Sequence, residues 1–269
     1  MTSAVDVSAR SDIGAVRHVN EDSYLAQDPV FVVADGMGGH ARGDVASRTA
    51  VESLAHTLAA GTTPTPDEVI AAVDEANAAV RALSDAEETG AAVAGTTLAG
   101  VVRVRVPERA AEEWMVINVG DSRVYAWDGR TLERLTVDHS AVQELLDAGL
   151  ITAEQAEVHP ERNVITRALG AEDFVDTDST FVPADAVPDF VVCSDGLTRE
   201  LSDETIAEIL AGDPDDPAAV LVEAAVAAGG HDNVTVIVIE SKPGDDAPAA
   251  VDTVDRLTGR ELDDTQPRE

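Results

Sequence analysis

The stretch that decides the fold reads Val30-Phe31-Val32-Val33-Ala34-Asp35-Gly36-Met37-Gly38-Gly39-His40. Its first part is a run of apolar, mostly β-branched residues that ends at turn residues, which predicts a buried strand. Asp35 follows at the mouth of that strand, where a buried carboxylate is costly unless something neutralises its charge. The stretch therefore predicts a carboxylate that is held at the edge of a sheet together with a compensating cation or hydrogen-bond donor.

Three further aspartates lie where a predicted strand meets a turn: Asp22, Asp195 and Asp232. An apolar run directly precedes the Ser194-Asp195-Gly196 turn, and another directly follows Asp232-Asn233. If the strands bring these distant carboxylates together, they form a site for hard divalent cations, which prefer oxygen ligands. The sequence predicts a metal site before any other kind of site.

Other chemistries find little support. The single cysteine, Cys193, lies inside an apolar strand, so that neither an intrachain disulfide nor a zinc–thiolate cluster can form. We interpret it as a small buried hydrophobic residue rather than a reactive thiol. The chain has no Walker phosphate loop and no dinucleotide glycine fingerprint, and the glycines after Asp35 are by themselves a weak signal.

The charge balance restricts the setting and the partners. The chain has 269 residues, 44% of them hydrophobic, and a formal net charge of −34, with Lys242 as its only lysine. Acidic residues are spread along the whole length, which favours a solvated surface adapted to high salt over an acidic docking patch, and the apolar periodicity argues against disorder. Nucleic-acid binding through a broad basic surface is excluded. With no membrane-spanning or secretory pattern, we expect a soluble cytoplasmic protein.

The apolar pattern predicts an order of strands in hairpin-like series with helix pairs between them. Predicted strands lie near residues 5–9, 24–26, 30–34, 96–105, 114–119, 122–127, 132–135, 176–181, 190–194 and 234–239. Predicted helices lie near residues 44–59, 66–83, 141–146, 152–155, 203–210 and 217–228. This order argues against a doubly wound parallel sheet and favours antiparallel sheets flanked by helices.

One large domain is predicted over residues 1–241, followed by an acidic, flexible tail at 242–269. Within the domain, residues 138–170 read as a small helical insertion, which we call the flap. A capping-box signal at Thr152–Gln155 and a terminating Gly149 support helices inside it.

Six motifs, in this order, resemble those of the metal-dependent PPM, or PP2C-type, protein serine/threonine phosphatases. They are Arg17-His18-Val19-Asn20-Glu21-Asp22, Ala34-Asp35-Gly36-Met37-Gly38-Gly39-His40, Gly95-Thr96-Thr97, Val119-Gly120-Asp121-Ser122-Arg123, Cys193-Ser194-Asp195-Gly196-Leu197 and Gly230-His231-Asp232-Asn233-Val234-Thr235. One such motif would be weak, whereas six in sequence over residues 8–240 are highly specific. The glycines after Asp35-Gly36 resemble the compact prokaryotic branch.

The resemblance implies an α+β fold: a four-layer α-β-β-α sandwich of two antiparallel sheets with helices on both outer faces and a small helical flap. It also implies a centre of two metal ions, Mn²⁺ or Mg²⁺. By resemblance, Asp35 bridges both ions, the Gly36 carbonyl serves one, and Asp195 with Asp232 serves the other. Glu21 and Asp22 lie in the acidic motif that orients bound water, and which of the two coordinates directly is open. Asp121 matches the position that, with Asp195, holds a third, weaker metal.

The implied activity is hydrolysis of phosphoserine and phosphothreonine by a metal-activated water, without a phosphoenzyme. Two cations about 3.5–4 Å apart activate water and offset charge on the phosphoryl oxygens. Arg17 matches the family's phosphate-binding arginine, whose guanidinium forks onto phosphate oxygens. The open alternative for Arg17 is a salt bridge with Glu21 or Asp22.

The other motif residues are expected to have structural roles. His40 could act as a general acid or cap the following helix, and we favour the cap. Thr96 and Thr97 are expected to hydrogen-bond beneath the site. Asn233 is expected to fix the Asp232 turn rather than touch substrate.

The implied partners are phosphorylated proteins, with a serine/threonine kinase as the opposing enzyme. The alternative function is a non-catalytic module of the same fold that binds phosphoprotein; it is disfavoured because the motif aspartates are all present. Structural calcium sites are a third option, but no EF-hand spacing exists and Arg17 would be unexplained.

Overall fold

A computed structural model describes residues 5–38, 42–58, 62–85, 94–107, 112–183 and 189–241. They form two antiparallel sheets with helices on both outer faces, which confirms the predicted four-layer fold. The first sheet has the order β1-β11-β10-β7-β8. Its strands are β1 (Val5–Asp12), β7 (Arg123–Trp127), β8 (Leu132–Arg134), β10 (Asp189–Cys193) and β11 (Val234–Ser241).

The second sheet has the order β2-β3-β5-β6-β9, and the short strand β4 pairs with β3 beside this path. Its strands are β2 (Asp22–Gln27), β3 (Val30–Met37), β4 (Gly95–Thr96), β5 (Leu98–Arg105), β6 (Glu112–Val119) and β9 (Asp178–Pro183). The long antiparallel ladders make the fold α+β, as predicted, rather than parallel α/β.

Two long helices cover the second sheet, three helices cover the first, and two short ones lie in the flap. They are α1 (Gly43–Leu58), α2 (Pro66–Asp85), α3 (Ala141–Asp147), α4 (Ala153–Glu157), α5 (Asp195–Glu200), α6 (Asp203–Ala211) and α7 (Pro217–Ala228). Helix α4 begins with the predicted capping box: the Thr152 hydroxyl accepts from the backbone N–H of Gln155, while the Gln155 side chain accepts from the Thr152 N–H.

Alternate side chains of each strand enter different layers of the core. Phe31 and Val33 point between the sheets, whereas Val30 and Val32 pack against α1 and α2. Trp114 fills the middle layer, with its ring centroid 6.0 Å from that of Phe31 and 5.5 Å from that of Phe190 in the opposite sheet. Because strand side chains alternate between faces, continuous apolar runs are what a sheet buried on both sides requires.

One helix was not predicted. Helix α5 has six residues and starts at Asp195 itself, and the apolar pattern is too short there to show a helical period. In the flap, α3 and α4 confirm the two short helices that were predicted, and the rest of this segment consists of turns and isolated bridges, such as Ser140 with Ile165. The predicted tail at 242–269 lies outside the described residues.

Candidate metal centre

Asp35 and Asp22 are brought together by the register of a single hairpin. The two residues are directly paired between β2 and β3. The backbone around Asp35 is fixed by the expected threonines: the Asp35 N–H donates to Thr97 Oγ1 at 2.9 Å, and Thr96 Oγ1 donates to the Asp35 carbonyl at 2.9 Å. The predicted placement of Thr96 and Thr97 beneath the site is therefore confirmed.

Asp22 connects the two sheets. Its Oδ2 accepts hydrogen bonds from Ser194 Oγ and Thr235 Oγ1, each at 2.7 Å, although both residues belong to the opposite sheet region. Its Oδ1 is buried without a hydrogen-bond partner. Burial raises the pKa of Asp22 to about 7, with the charges of Asp195 and Asp232 adding to the effect and the two hydroxyls opposing it.

Asp195 opens helix α5, and its carboxyl lies within electrostatic reach of Asp35. Burial raises the pKa of Asp35 well above its usual range, and neighbouring Asp22 and Asp195 raise it further. Burial also raises the pKa of Asp195, although the charge of Arg199 opposes this. Such mutual repulsion shows that these carboxylates share one small volume.

Asp121 extends the cluster on the side of the flap. It follows Gly120, whose φ of +107° lies in the left-handed region, and its Oδ1 is buried without a partner. Burial raises the pKa of Asp121 to about 7, and Asp195 and Asp138 contribute to that rise. Asp121 therefore lies within electrostatic reach of Asp195.

Asp232 forms the rim of the cluster and contacts two arginines. Its Oδ2 accepts from Arg17 at 2.7 Å and from Arg199 at 2.9 Å. Arg17 therefore reaches the cluster, but its ion pair is with Asp232 and not with Glu21 or Asp22, the partners that we weighed from the sequence. The 45% exposure of the Arg17 side chain leaves its guanidinium accessible from solvent.

Glu21 and Gly36 lie where two backbone segments come close together. The Gly36 N–H donates to the Glu21 carbonyl at 3.1 Å, and a Cβ on Gly36 would collide with the carbonyl of Gly43. A glycine is therefore required at position 36 by packing alone. Burial raises the pKa of Glu21, while the charge of Arg17 lowers it. His40, the other candidate in this motif, lies outside the described residues.

Asn233 performs the structural role predicted for it and extends it. Its Oδ1 accepts from the Glu21 N–H at 2.8 Å, and its Nδ2 donates to the carbonyls of Ile13 and Val19 at 2.9 and 3.0 Å. One side chain thus ties the loop that carries Arg17 to the turn that carries Asp232.

Sequence reasoning missed three polar contributors to the site: Ser194, Thr235 and Arg199. Ser194 and Thr235 lie within two of the six motifs, and this position could have identified them as contributors to the site. For Arg199, the only signal in the sequence was its position four residues after Asp195. That spacing brings two side chains together only if the residues between them form a helix.

The cluster contains buried oxygens without hydrogen-bond partners and carboxyls whose pKa values are raised. Both features favour the binding of an external cation. Buried oxygens without a partner include Asp22 Oδ1, Asp121 Oδ1 and Asp195 Oδ1. Among the residues that the structure describes, no three His, Cys, Asp or Glu side chains converge closely enough to hold one ion as they stand. The acids lie within electrostatic reach of one another, but their side chains would have to move to share one ligand.

Cys193 is buried and free, as expected. Burial raises the pKa of its thiol to about 12, so that the thiolate nucleophile of cysteine-based chemistry is not available there. In the parts of the chain that the structure describes, no helix has the length and apolar character needed to cross a membrane.

The two-sheet sandwich and its acidic strand ends define the class of the molecule, an α-β-β-α enzyme with an oxygen-rich site suited to divalent cations. A family model described as Protein phosphatase 2C matches residues 15–213. The chain therefore belongs to the protein phosphatase 2C family, and it lies in the prokaryotic PPM branch.

Individual relatives agree with this assignment. Serine/threonine phosphatase stp of Listeria welshimeri is 37% identical over 86% of this chain and 94% of its own length. Serine/threonine protein phosphatase PstP of Mycobacterium tuberculosis is 38% identical over 89% of this chain, which corresponds to 46% of PstP.

Solved structures show the same architecture. The PPM Ser-Thr phosphatase MsPP of Mycobacterium smegmatis, in complex with cacodylate, has a TM-score of 0.77 and 38% identity, covering 90% of this chain and all of that one (100%). The catalytic domain of PstP in complex with two manganese ions has a TM-score of 0.76 and 37% identity, covering 89% of this chain and 99% of that one.

Proposed function

We propose that the protein is a metal-dependent serine/threonine phosphatase, which hydrolyses phosphoserine and phosphothreonine in proteins through an activated water. The observation that carries the proposal is the acidic cluster of buried Asp22, Asp121 and Asp195 with half-buried Asp35, and with Asp232 at its rim, in a chain of this family. Relatives over most of the chain are named serine/threonine phosphatases, and one related structure is a complex with manganese.

The residues fit divalent cations, because every candidate side-chain ligand offers hard oxygen and three buried carboxylate oxygens have no partner. Asp35, Asp195 and Asp232 are the principal side-chain ligands in this proposal, together with the carbonyl of Gly36. Glu21 and Asp22 support the site from the neighbouring strand end. When bound, such cations activate water and offset the charge of a phosphoryl group.

A third, weaker site at Asp121 and Asp195 is a further part of the proposal. Its support is the buried Oδ1 of Asp121, which has no hydrogen-bond partner, and the charge of Asp195, which adds to the rise in the pKa of Asp121 that burial causes. Mn²⁺ and Mg²⁺ are both compatible with an all-oxygen ligand set.

Arg17 is proposed to bind the phosphate of the substrate. Its guanidinium is exposed at the rim and contacts Asp232, so that it needs only to rotate away from that carboxylate to present two parallel N–H donors. Water is then directed at phosphorus by the acids beneath, while Arg17 holds and orients the substrate. His40 remains a candidate acid or helix cap on sequence grounds alone.

The non-catalytic alternative has less support. A phospho-binding module needs no set of buried carboxylates with perturbed pKa values, which are typical of catalytic sites. The relatives are named as phosphatases rather than as binding modules. Phosphoproteins are thus the proposed substrates, a serine/threonine kinase is the proposed opposing enzyme, and the cytoplasmic location remains a prediction.

We also infer that the protein works at high salt. A net charge of −34 would repel an anionic substrate and destabilise the fold in dilute buffer. At molar salt the Debye length falls to about 3 Å, so that repulsion is limited to contact range. Phosphate release and thermal stability should therefore both rise from dilute buffer to molar KCl; a steady decline with added salt would refute this.

The experiment that tests the phosphatase proposal is release of phosphate from a phosphothreonine peptide at high salt. Wild type should require Mn²⁺ and lose activity in EDTA, and Asp35→Asn should lose about a thousandfold in rate because several kcal/mol of charge stabilisation disappear. The exposed Asp147→Asn is the charge-matched control. A folded, metal-loaded wild type that releases no phosphate from several peptides would favour the binding module.

A further inference from the structure

Arg199 lies between two carboxylates that the proposed function uses as ligands. Helix α5 places it one turn after Asp195, and one guanidinium nitrogen contacts Asp195 Oδ2. The other terminal nitrogen donates to Asp232 Oδ2 at 2.9 Å. The side chain is 34% exposed, and its partners are 10% and 14% exposed, so that this pairing is shielded from most of the solvent.

The two contacts are made to Asp195 Oδ2 and Asp232 Oδ2. Asp195 Oδ1, in contrast, is buried without a partner. Arg17 also takes Asp232 Oδ2, so that two guanidinium groups share this one oxygen. An arginine stays charged at all physiological pH values, and its planar fork matches carboxylates well. Arg199 is thus a permanent positive charge placed among the proposed ligands.

We propose that Arg199 is a positioning residue that competes with the divalent cation for Asp195 and Asp232, and so sets the metal affinity of the site. This inference rests on the proposed function. A cation that takes Asp195 Oδ2 or Asp232 Oδ2 must displace a charge-assisted hydrogen bond, and the guanidinium repels the cation as well. Both effects weaken metal binding, while the same contacts hold α5 and the Asp232 turn together when no cation is bound.

Two other roles for Arg199 predict different results. An ordinary structural ion pair would change thermal stability but not the metal affinity of the folded protein. A direct phosphate contact would change the KM for a phosphopeptide and leave Mn²⁺ affinity unchanged. Metal binding without substrate therefore separates competition from both alternatives.

The test is calorimetric titration of Mn²⁺ into wild type, Arg199→Gln and Arg199→Lys at one high salt concentration. Arg199→Gln should lower the Kd for Mn²⁺ about tenfold, since the loss of one charge-assisted hydrogen bond corresponds to at least that factor. Arg199→Lys keeps the charge but cannot fork onto both carboxylates, so its Kd should lie between the other two. In EDTA, Arg199→Gln should have a lower Tm than wild type.

Arg81→Gln is the control for the change in net charge, because Arg81 pairs with Asp173 at 2.8 Å, away from the acidic cluster. Its Kd for Mn²⁺ should equal that of wild type. An unchanged or higher Kd of Arg199→Gln for Mn²⁺ would overturn the inference. A change in the KM for phosphopeptides alone would also overturn it. If Arg199→Gln does not fold in EDTA, an unchanged Kd of Arg199→Lys for Mn²⁺ would overturn the inference instead. A wild type that binds no Mn²⁺ would instead refute the proposed metal centre.

Discussion

The acidic cluster and the flap adjoin each other at Asp121 but are held in place by different interactions. Each aspartate of the cluster lies at, or within two residues of, a strand end or a helix start. Asp22 is also braced from the opposite sheet region by the hydroxyls of Ser194 and Thr235. Helices α3 and α4 of the flap have no buried residue, and Leu150 and Val158 are 70% and 78% exposed.

The flap is attached at its base by polar contacts and at its end by Leu169, which is fully buried in the core. Arg123 makes a forked pair with Asp138, and the ring Nδ1 of His139 accepts from the Gly120 N–H at 3.0 Å. From this difference we propose that the strand ends carry the chemistry and that the flap influences substrate choice.

The largest effect should come from Asp22→Asn. We expect phosphate release to fall by about a thousandfold, because the site loses an anion near the proposed cations. Stability in EDTA should be equal or higher, since a buried carboxylate among other acids destabilises the fold. Activity assays and thermal melts in EDTA test both parts. A large loss of stability would mean that Asp22 is mainly a structural brace.

Asn233→Ala should cause the largest loss of stability among the substitutions near the acidic cluster. It leaves the Glu21 N–H and two backbone carbonyls without their partner, which costs about 2–4 kcal/mol in the free energy of unfolding. Denaturant titration measures it, with the exposed Asn163→Ala as control. Equal effects of the two substitutions would show that the Arg17 loop is held by other contacts.

Asp138→Asn tests the anchor of the flap. It removes the charge that faces Arg123, and we expect a loss of about 2 kcal/mol in the free energy of unfolding together with a higher KM for phosphopeptides. The exposed Asp147→Asn should change neither quantity. If Asp138→Asn lowered kcat and left KM unchanged, the flap would belong to the catalytic part instead.

A smaller, pH-dependent effect is expected at Glu200. Burial would raise the pKa of this carboxyl, but hydrogen bonds from the backbone and ring of His231 outweigh it and hold the pKa below the ordinary value of 4.5. A lowered pKa gives stability that is present above 4.5 and is lost as the pH falls through the folded value.

The free energy of unfolding of wild type should therefore exceed that of Glu200→Gln by less than about 1 kcal/mol at pH 7. This difference should disappear as the pH is lowered. Urea titrations of both proteins at several pH values below 7 measure it. A gap that stays constant into acid would assign the difference to packing rather than to charge.

Leu150→Ser should have the smallest effect on the molecule itself. The side chain is largely exposed, so stability should change by less than about 0.5 kcal/mol and hydrolysis of p-nitrophenyl phosphate should not change. The KM for phosphopeptides should shift if the flap contacts the substrate chain. Identical KM values across several peptides would remove the flap from substrate choice.

Much of the fold could be predicted because its signals are local. The apolar run before Asp35 predicted β3, and Thr152 predicted the start of α4. Helix α5 was missed because six residues do not show a helical period, and Leu197 is its one large apolar residue.

The series of strands and the acidic residues at their ends could be inferred from the sequence, because each follows from residue type and spacing. Which side chains meet in the folded chain could not be inferred in this way. The pairing of Asp22 with Ser194 and Thr235 across the sheets, and of Arg17 and Arg199 with Asp232, joins residues that are distant along the chain or brought together by an unpredicted helix. Such contacts depend on how two sheets are aligned, and no local pattern encodes that alignment.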